Sequence, residues 1–146
     1  MKVIEHVRDF LEADISALGS ASGVIKLTKD GLIANHLLLF IDYDALSGSG
    51  GESLIITPKL VFGDDLTATV QKKACGVFDH NGGVAGTAIT ITGTGAAGCE
   101  WWYIISGAYT SKEHGSAQIM APGVLLEFTN TNYTGGAMRF GYLAAG

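Results

Sequence analysis

Apolar and polar positions follow one period at the start of the chain and another afterwards. Over residues 2–18, Val3, Val7, Phe10, Leu11 and Leu18 recur at spacings of three, four and seven, with Ile4 and Ile15 beside the stripe. Glu5, Arg8, Asp9 and Glu12 occupy the opposite side. This pattern predicts an amphipathic helix, with Arg8 and Glu12 as an i,i+4 pair. Gly19 suits the position just past its end, and residues 20–23 read as a flexible joint. Such a helix needs a surface to pack on. Its own domain and a neighbouring subunit are both open as that surface.

From Val24 onward the period is two. Residues 24–29, Asp30-Gly31 and the stretch from Leu32 read as a hairpin, because Asp-Gly suits the positive φ angles of a type I′ turn. Leu37, Leu39, Ile41 and Tyr43 fall on one face of a long strand, and Leu38, Phe40, Asp42 and Asp44 on the other. Residues 47–51, Ser-Gly-Ser-Gly-Gly, read as a flexible loop. Residues 54–62 form the next strand, where Pro58 points to an edge or a bulge. A turn at 63–65, a strand over 66–73, a turn at 81–83 and an alternating stretch over 87–92 follow. Residues 93–98 interrupt the pattern, 100–109 make an aromatic-rich strand, and a polar stretch at 110–116 precedes a short strand at 117–121. Val124, Leu126 and Phe128 then share one face of a strand, with Leu125, Glu127 and Thr129 on the other. Residues 130–136 carry turn-forming side chains, and 137–143 return as a final strand expected to close a sheet.

The expected architecture is therefore all-β: an antiparallel β-sandwich, jelly-roll-like, with an N-terminal helical segment. Residues 1–23 would be the helical arm and joint, and 24–146 the sandwich domain. A length of 146 residues fits one such domain. Charged residues make up only 16%, low for a domain that exposes all its surface to water. The net charge of −5 argues against nucleic acid as a partner. No apolar run approaches the ~20 residues of a membrane-spanning helix, and the charges from Glu5 to Glu12 interrupt any signal-peptide core. Cys75 and Cys99 read as two reduced thiols in a chain made in the cytoplasm.

Candidate chemistry is thin. Residues 93–98, Gly-Thr-Gly-Ala-Ala-Gly, match G-x-G-x-x-G, but the following residues read as strand where a dinucleotide site needs a helix. His6, His36, His80 and His114 lack metal-ligand spacing, and Cys75 with His80 names too few ligands for zinc. His36 reads as a hydrogen-bonded sheet residue. Asp42, Asp44, Asp64 and Asp65 lack EF-hand spacing and read as solvated strand ends. Glu100 and Glu127 would be the carboxylates of a glycosidase only without visible supporting residues. Asn132-Tyr133-Thr134 fits a glycosylation sequon, which carries no weight without secretion. No catalytic, cofactor or metal site is expected, and no cofactor. Trp101-Trp102-Tyr103 is more informative, since neighbours on a strand face opposite sides. One tryptophan should pack in the core and the other look outward, as an interface anchor or a sugar-stacking platform.

Residues 37–48, the strand at 53–62, and the closing stretch of Pro122, residues 124–130 and Ala137-Met138-Arg139-Phe140-Gly141-Tyr142 resemble small β-sandwich virion proteins of tailed bacteriophages. These are of the capsid decoration, or cement, kind. The resemblance covers residues 24–146. It implies a non-enzymatic structural protein on the phage capsid surface that binds the major capsid protein and stabilises the assembled head. It also implies a homo-oligomer, with a trimer at a local three-fold. Val3, Ile4, Val7, Phe10 and Leu11 are then the expected partner-binding residues, and removing residues 1–20 should leave the sandwich folded. The alternative is a receptor- or carbohydrate-binding virion or tail component using Trp101 or Trp102 with Tyr103 or Tyr109.

Overall fold

The computed structural model describes residues 2–18, 23–61, 72–79, 85–106 and 123–146. Gly19 and residues 20–22 of the expected joint, the turns at 63–65 and 81–83, most of the strand at 66–73, His80, His114, Tyr109 and the stretch 110–121 lie outside them. The described residues form two antiparallel sheets packed face to face. The first holds β1 (Val3–Asp14), β12 (Ala137–Ala145), β5 (His36–Tyr43) and β10 (Gly98–Ser106), in that order, then β7 (Lys72–Asp79) with the short β8 (Ala85–Gly86). The second holds β2 (Gly23–Lys26), β11 (Gly123–Gly135) and β6 (Ser47–Val61), with β9 (Ile89–Thr92) on the far side of β6. β7 belongs to both: Lys72 to Ala74 pair with β6, and Cys75 to Asp79 lie in register with β10. It turns the corner between the sheets.

Alternation builds the core. Leu37, Leu39 and Ile41 of β5, Trp102 and Ile104 of β10, and Met138, Phe140 and Tyr142 of β12 face inward from the first sheet. Leu54, Ile56 and Leu60 of β6 and Val124, Leu126 and Phe128 of β11 meet them from the second. The rings of Phe128 and Phe140 lie 5.3 Å apart across the interface. The faces read from the sequence for β5 and β11 are the observed ones. The Asp-Gly turn also forms as expected, joining β3 (Thr28–Lys29) to β4 (Leu32–Ile33), with φ of 51° at Asp30 and 77° at Gly31. Pro58 sits inside β6, where the flanking strand changes from β9 to β7. The missing N–H therefore costs no ladder bond on that side, and the Pro58 carbonyl accepts from Cys75 Sγ at 3.1 Å.

Three expectations are corrected. The N-terminal helical segment is not there: Val3–Asp14 is a strand paired antiparallel with β12, followed only by a 3-10 turn at Ile15–Ala17. Helix-like spacing arises from a bulge. Val7 pairs with Tyr142 and Leu11 with Phe140, so Arg8, Asp9 and Phe10 stand opposite the single residue Gly141. The bulge turns Phe10 onto the Tyr142 ring, edge to face at 5.5 Å, which produces apolar contacts at positions 7, 10 and 11.

Residues 47–51 are not a free loop. They extend β6, with Gly48 opposite Tyr133 and Ser47 opposite Gly135, and Asn132 Nδ2 donates to the Gly50 carbonyl at 2.7 Å.

Nor do β11 and β12 form a hairpin. They lie in opposite sheets, and the chain crosses between them at Gly136, whose φ is 123°. Asp14 holds this crossing: one carboxylate oxygen takes the Ser16 N–H at 2.9 Å and the other the Gly136 N–H at 3.3 Å. Ile15 N–H donates to the Gly136 carbonyl at 2.8 Å. β12 is therefore interior, flanked by β1 and β5, and β1 is the edge of the first sheet among the described residues.

Candidate functional site

Residues pointing away from the core on the first sheet form cross-strand rows. Leu143, Leu38 and Tyr103 make one row, Gly141, Phe40 and Trp101 the next, and Arg139, Asp42 and Cys99 the third. Two rows are apolar and aromatic, and the third is charged. Trp101 is 44% exposed and Tyr103 37%, while Trp102 is only 6% exposed and belongs to the core. Alternation along β10 thus separates the tryptophans, and Trp101 is the outward one. Phe40 touches it edge to face at 5.3 Å, and His6 touches Phe40 from the other side at 5.9 Å.

The bulge of β1 shapes this face. A Cβ on Gly141 would lie 2.7 Å from the Val7 carbonyl oxygen and 2.6 Å from that of Arg8, so only glycine lets β1 fold so closely over β12. Arg8 and Asp9 are raised beside the aromatic row. They enclose, with His6, Phe40, Asp42, Trp101, Arg139 and Gly141, an open cleft of about 560 Å³. At its charged end Arg139 is braced by two carboxylates, Nε to Asp42 Oδ2 at 3.1 Å and Nη2 to Asp44 Oδ1 at 2.9 Å. The guanidinium holds the Asp44 carboxyl below its usual range through this hydrogen bond. Asp42 and Asp44 are thus partners of an arginine. Among the described residues no group of three or more His, Cys, Asp or Glu side chains is placed to hold a metal ion.

The remaining sequence candidates are dispersed. Glu100 points inward near the end of the sandwich, and Glu127 lies on the outer face of the second sheet, so they face no common space. Burial raises the Glu100 carboxyl, and Asp79 adds to the shift. His36 Nδ1 has no hydrogen-bond partner among the described residues. Gly93 and Gly95 adopt positive φ in a turn tied down by Tyr133, whose hydroxyl donates to the Gly93 carbonyl at 2.7 Å, and β10 follows directly. Cys75 is buried and its thiol is pushed up to about 12, whereas Cys99 is exposed.

Of the expected partner-binding residues, Ile4, Val7, Phe10 and Leu11 are partly buried against the chain's own core, and Val3 is 55% exposed. Residues missed by sequence reading are Arg139, Asp9 and Gly141. Arg139 carries no local motif, and Gly141 becomes informative only once β1 is known to cross it.

Compared with protein-family models, curated proteins and solved structures, the chain gives no match. The fold alone defines its class, an antiparallel β-sandwich.

Proposed function

We propose that this chain is a non-enzymatic virion structural protein of the capsid-decoration type, which binds the major capsid protein of an assembled phage head and stabilises it. The jelly-roll-like connectivity, the homo-oligomer (a trimer) and the place on the capsid surface belong to the same reading. The observation that carries it is the edge strand β1. Among the described residues β1 is paired on one side only, and it begins at Val3, the most exposed of their large apolar side chains. A strand with one edge free offers backbone donors and acceptors to a partner's sheet, and Val3 adds an apolar anchor. A protein that binds only the assembled shell stabilises it by mass action.

Co-sedimentation with purified heads tests this directly. The parent chain should pellet with assembled heads, leave unassembled capsid subunits in the supernatant, and lose binding on Val3→Glu without loss of fold. Equal pelleting of the variant, or no pelleting of the parent, contradicts the reading. A second reading, a receptor-binding virion component, is favoured by a different observation: the cleft beside Trp101.

A further inference from the structure

We propose that the cleft on the outer face of the first sheet is a carbohydrate subsite that takes a neutral pyranose, with Trp101 as its stacking platform and Arg139, Asp42 and Asp9 as its hydroxyl-reading groups. This deepens the second reading above and is independent of head docking by β1.

A pyranose ring presents an apolar face of C–H groups and a rim of hydroxyls, so its site needs a flat aromatic surface bordered by fixed hydrogen-bonding groups. Both are present on adjacent rows of one sheet. Trp101 is close to half exposed, and its ring is set by edge contact with Phe40 at 5.3 Å and an interplanar angle of 71°. Phe40 is itself backed by His6 at 5.9 Å. The platform is therefore oriented before any ligand arrives, which lowers the ordering cost of binding.

The polar border is equally preset. Two carboxylates hold Arg139, and a guanidinium fork beside a carboxylate matches vicinal hydroxyls, offering donors to one oxygen and an acceptor to the next hydrogen. Asp9 stands across the cleft on the bulge of β1. Gly141, by letting the β1 backbone fold over β12, is what brings Arg8 and Asp9 to this side of the cleft.

Charge selects the ligand class. Arg8 and Arg139 are balanced by Asp9 and Asp42 in the lining, so there is no excess cation to favour a phosphate, sulfate or carboxylated sugar. A volume of about 560 Å³ lies within the range of small-ligand sites. Its open form suits a terminal or internal residue of a glycan.

The test is a glycan array carrying neutral, sialylated and sulfated oligosaccharides, followed by titration of the full chain with the best neutral hit, read by isothermal titration calorimetry. Trp101→Ala and Trp101→Phe are compared with the parent, each checked for an unchanged far-UV spectrum and melting temperature. The parent should bind neutral glycans, Trp101→Ala should weaken binding by about tenfold or more, and Trp101→Phe should recover much of it. Arg139→Lys should change the ranking among neutral sugars that differ in one hydroxyl configuration. Binding confined to sialylated or sulfated glycans, still dependent on Trp101, would keep a receptor function and overturn the neutral class. No glycan binding, or binding untouched by Trp101→Ala, overturns the subsite altogether. Self-association of the parent that is abolished by Trp101→Ala, without sugar binding, assigns the face to a second copy instead and equally overturns it.

Discussion

Gly141 shows how much of this molecule turns on single positions. Its missing side chain is what allows the Val7 and Arg8 carbonyls to approach β12. Gly141→Ala should lower stability by about 1–3 kcal/mol, measured by thermal or urea unfolding, because backbone rather than a flexible side chain would have to move. Trp101 and Trp102 should part company in the same assay. Trp102→Ala empties a core site and should cost about 3–5 kcal/mol, whereas Trp101→Ala should leave the melting temperature nearly unchanged.

Glu100 should behave oppositely to Asp14 and Asp44. Its carboxyl is raised by burial and then by Asp79, so the folded chain holds that proton more tightly than the unfolded chain does. Stability therefore falls as pH rises from the ordinary carboxylate range through the raised value. Asp14, lowered by its bonds to Ser16 and Gly136, and Asp44, lowered by Arg139, contribute above the ordinary range and lose that contribution as pH falls through their lowered values. Glu100→Gln should accordingly raise the melting temperature at neutral pH, and the gain should vanish below about pH 4. A gain that persisted at low pH would mean that the substitution acts through packing.

At the scale of elements, β1 is where sequence and structure diverge most usefully. A bulged strand mimics a helix in the sequence because two periods of alternation are joined by extra residues. Val7, Phe10 and Leu11 are inward contacts for this reason, and no local residue distinguishes that from a helical turn. The pairing partner, β12, is more than a hundred residues away. The same blindness to distant pairing made residues 130–136 look like a hairpin turn, although Gly136 crosses from one sheet to the other under the hold of Asp14. Short-range signals fared better. Asp30-Gly31 makes the turn its φ angles require, and the alternating residues of β5 and β11 face the way their spacing says.

The consequence for β1 is testable. Deleting residues 2–18 would strip β12 of a partner and uncover the sites of Ile15 and Leu18, both buried. The truncated chain should lose its cooperative unfolding transition or become insoluble, and it would not serve as a folded, arm-free sandwich. Val3→Glu, placed on an exposed side chain, should keep the transition intact and is the cleaner probe of partner binding.

At the scale of the whole molecule, the sandwich places two different surfaces on the first sheet. Its edge strand, β1, unpaired on one side among the described residues, offers backbone and Val3, and its outer face offers the aromatic cleft. The all-β class was legible from alternation and turn residues. The cleft was not, because Asp9, Asp42, Trp101 and Arg139 come from four strands and meet only through register. Its one sequence trace was the Trp101-Trp102 pair, which required an outward tryptophan without saying what surrounds it. Chemical labelling should report the same inside–outside division: a thiol reagent should modify Cys99 rapidly in the folded chain and Cys75 only on unfolding, since Cys75 is buried and its thiol is pushed up to about 12.

The central proposal, a protein of the phage shell, is tested most directly by quantitative mass spectrometry of purified virions, counting this chain against the major capsid protein. A decoration protein should be present at a copy number of the same order as the capsid subunit. A handful of copies per particle, or none, would contradict that role.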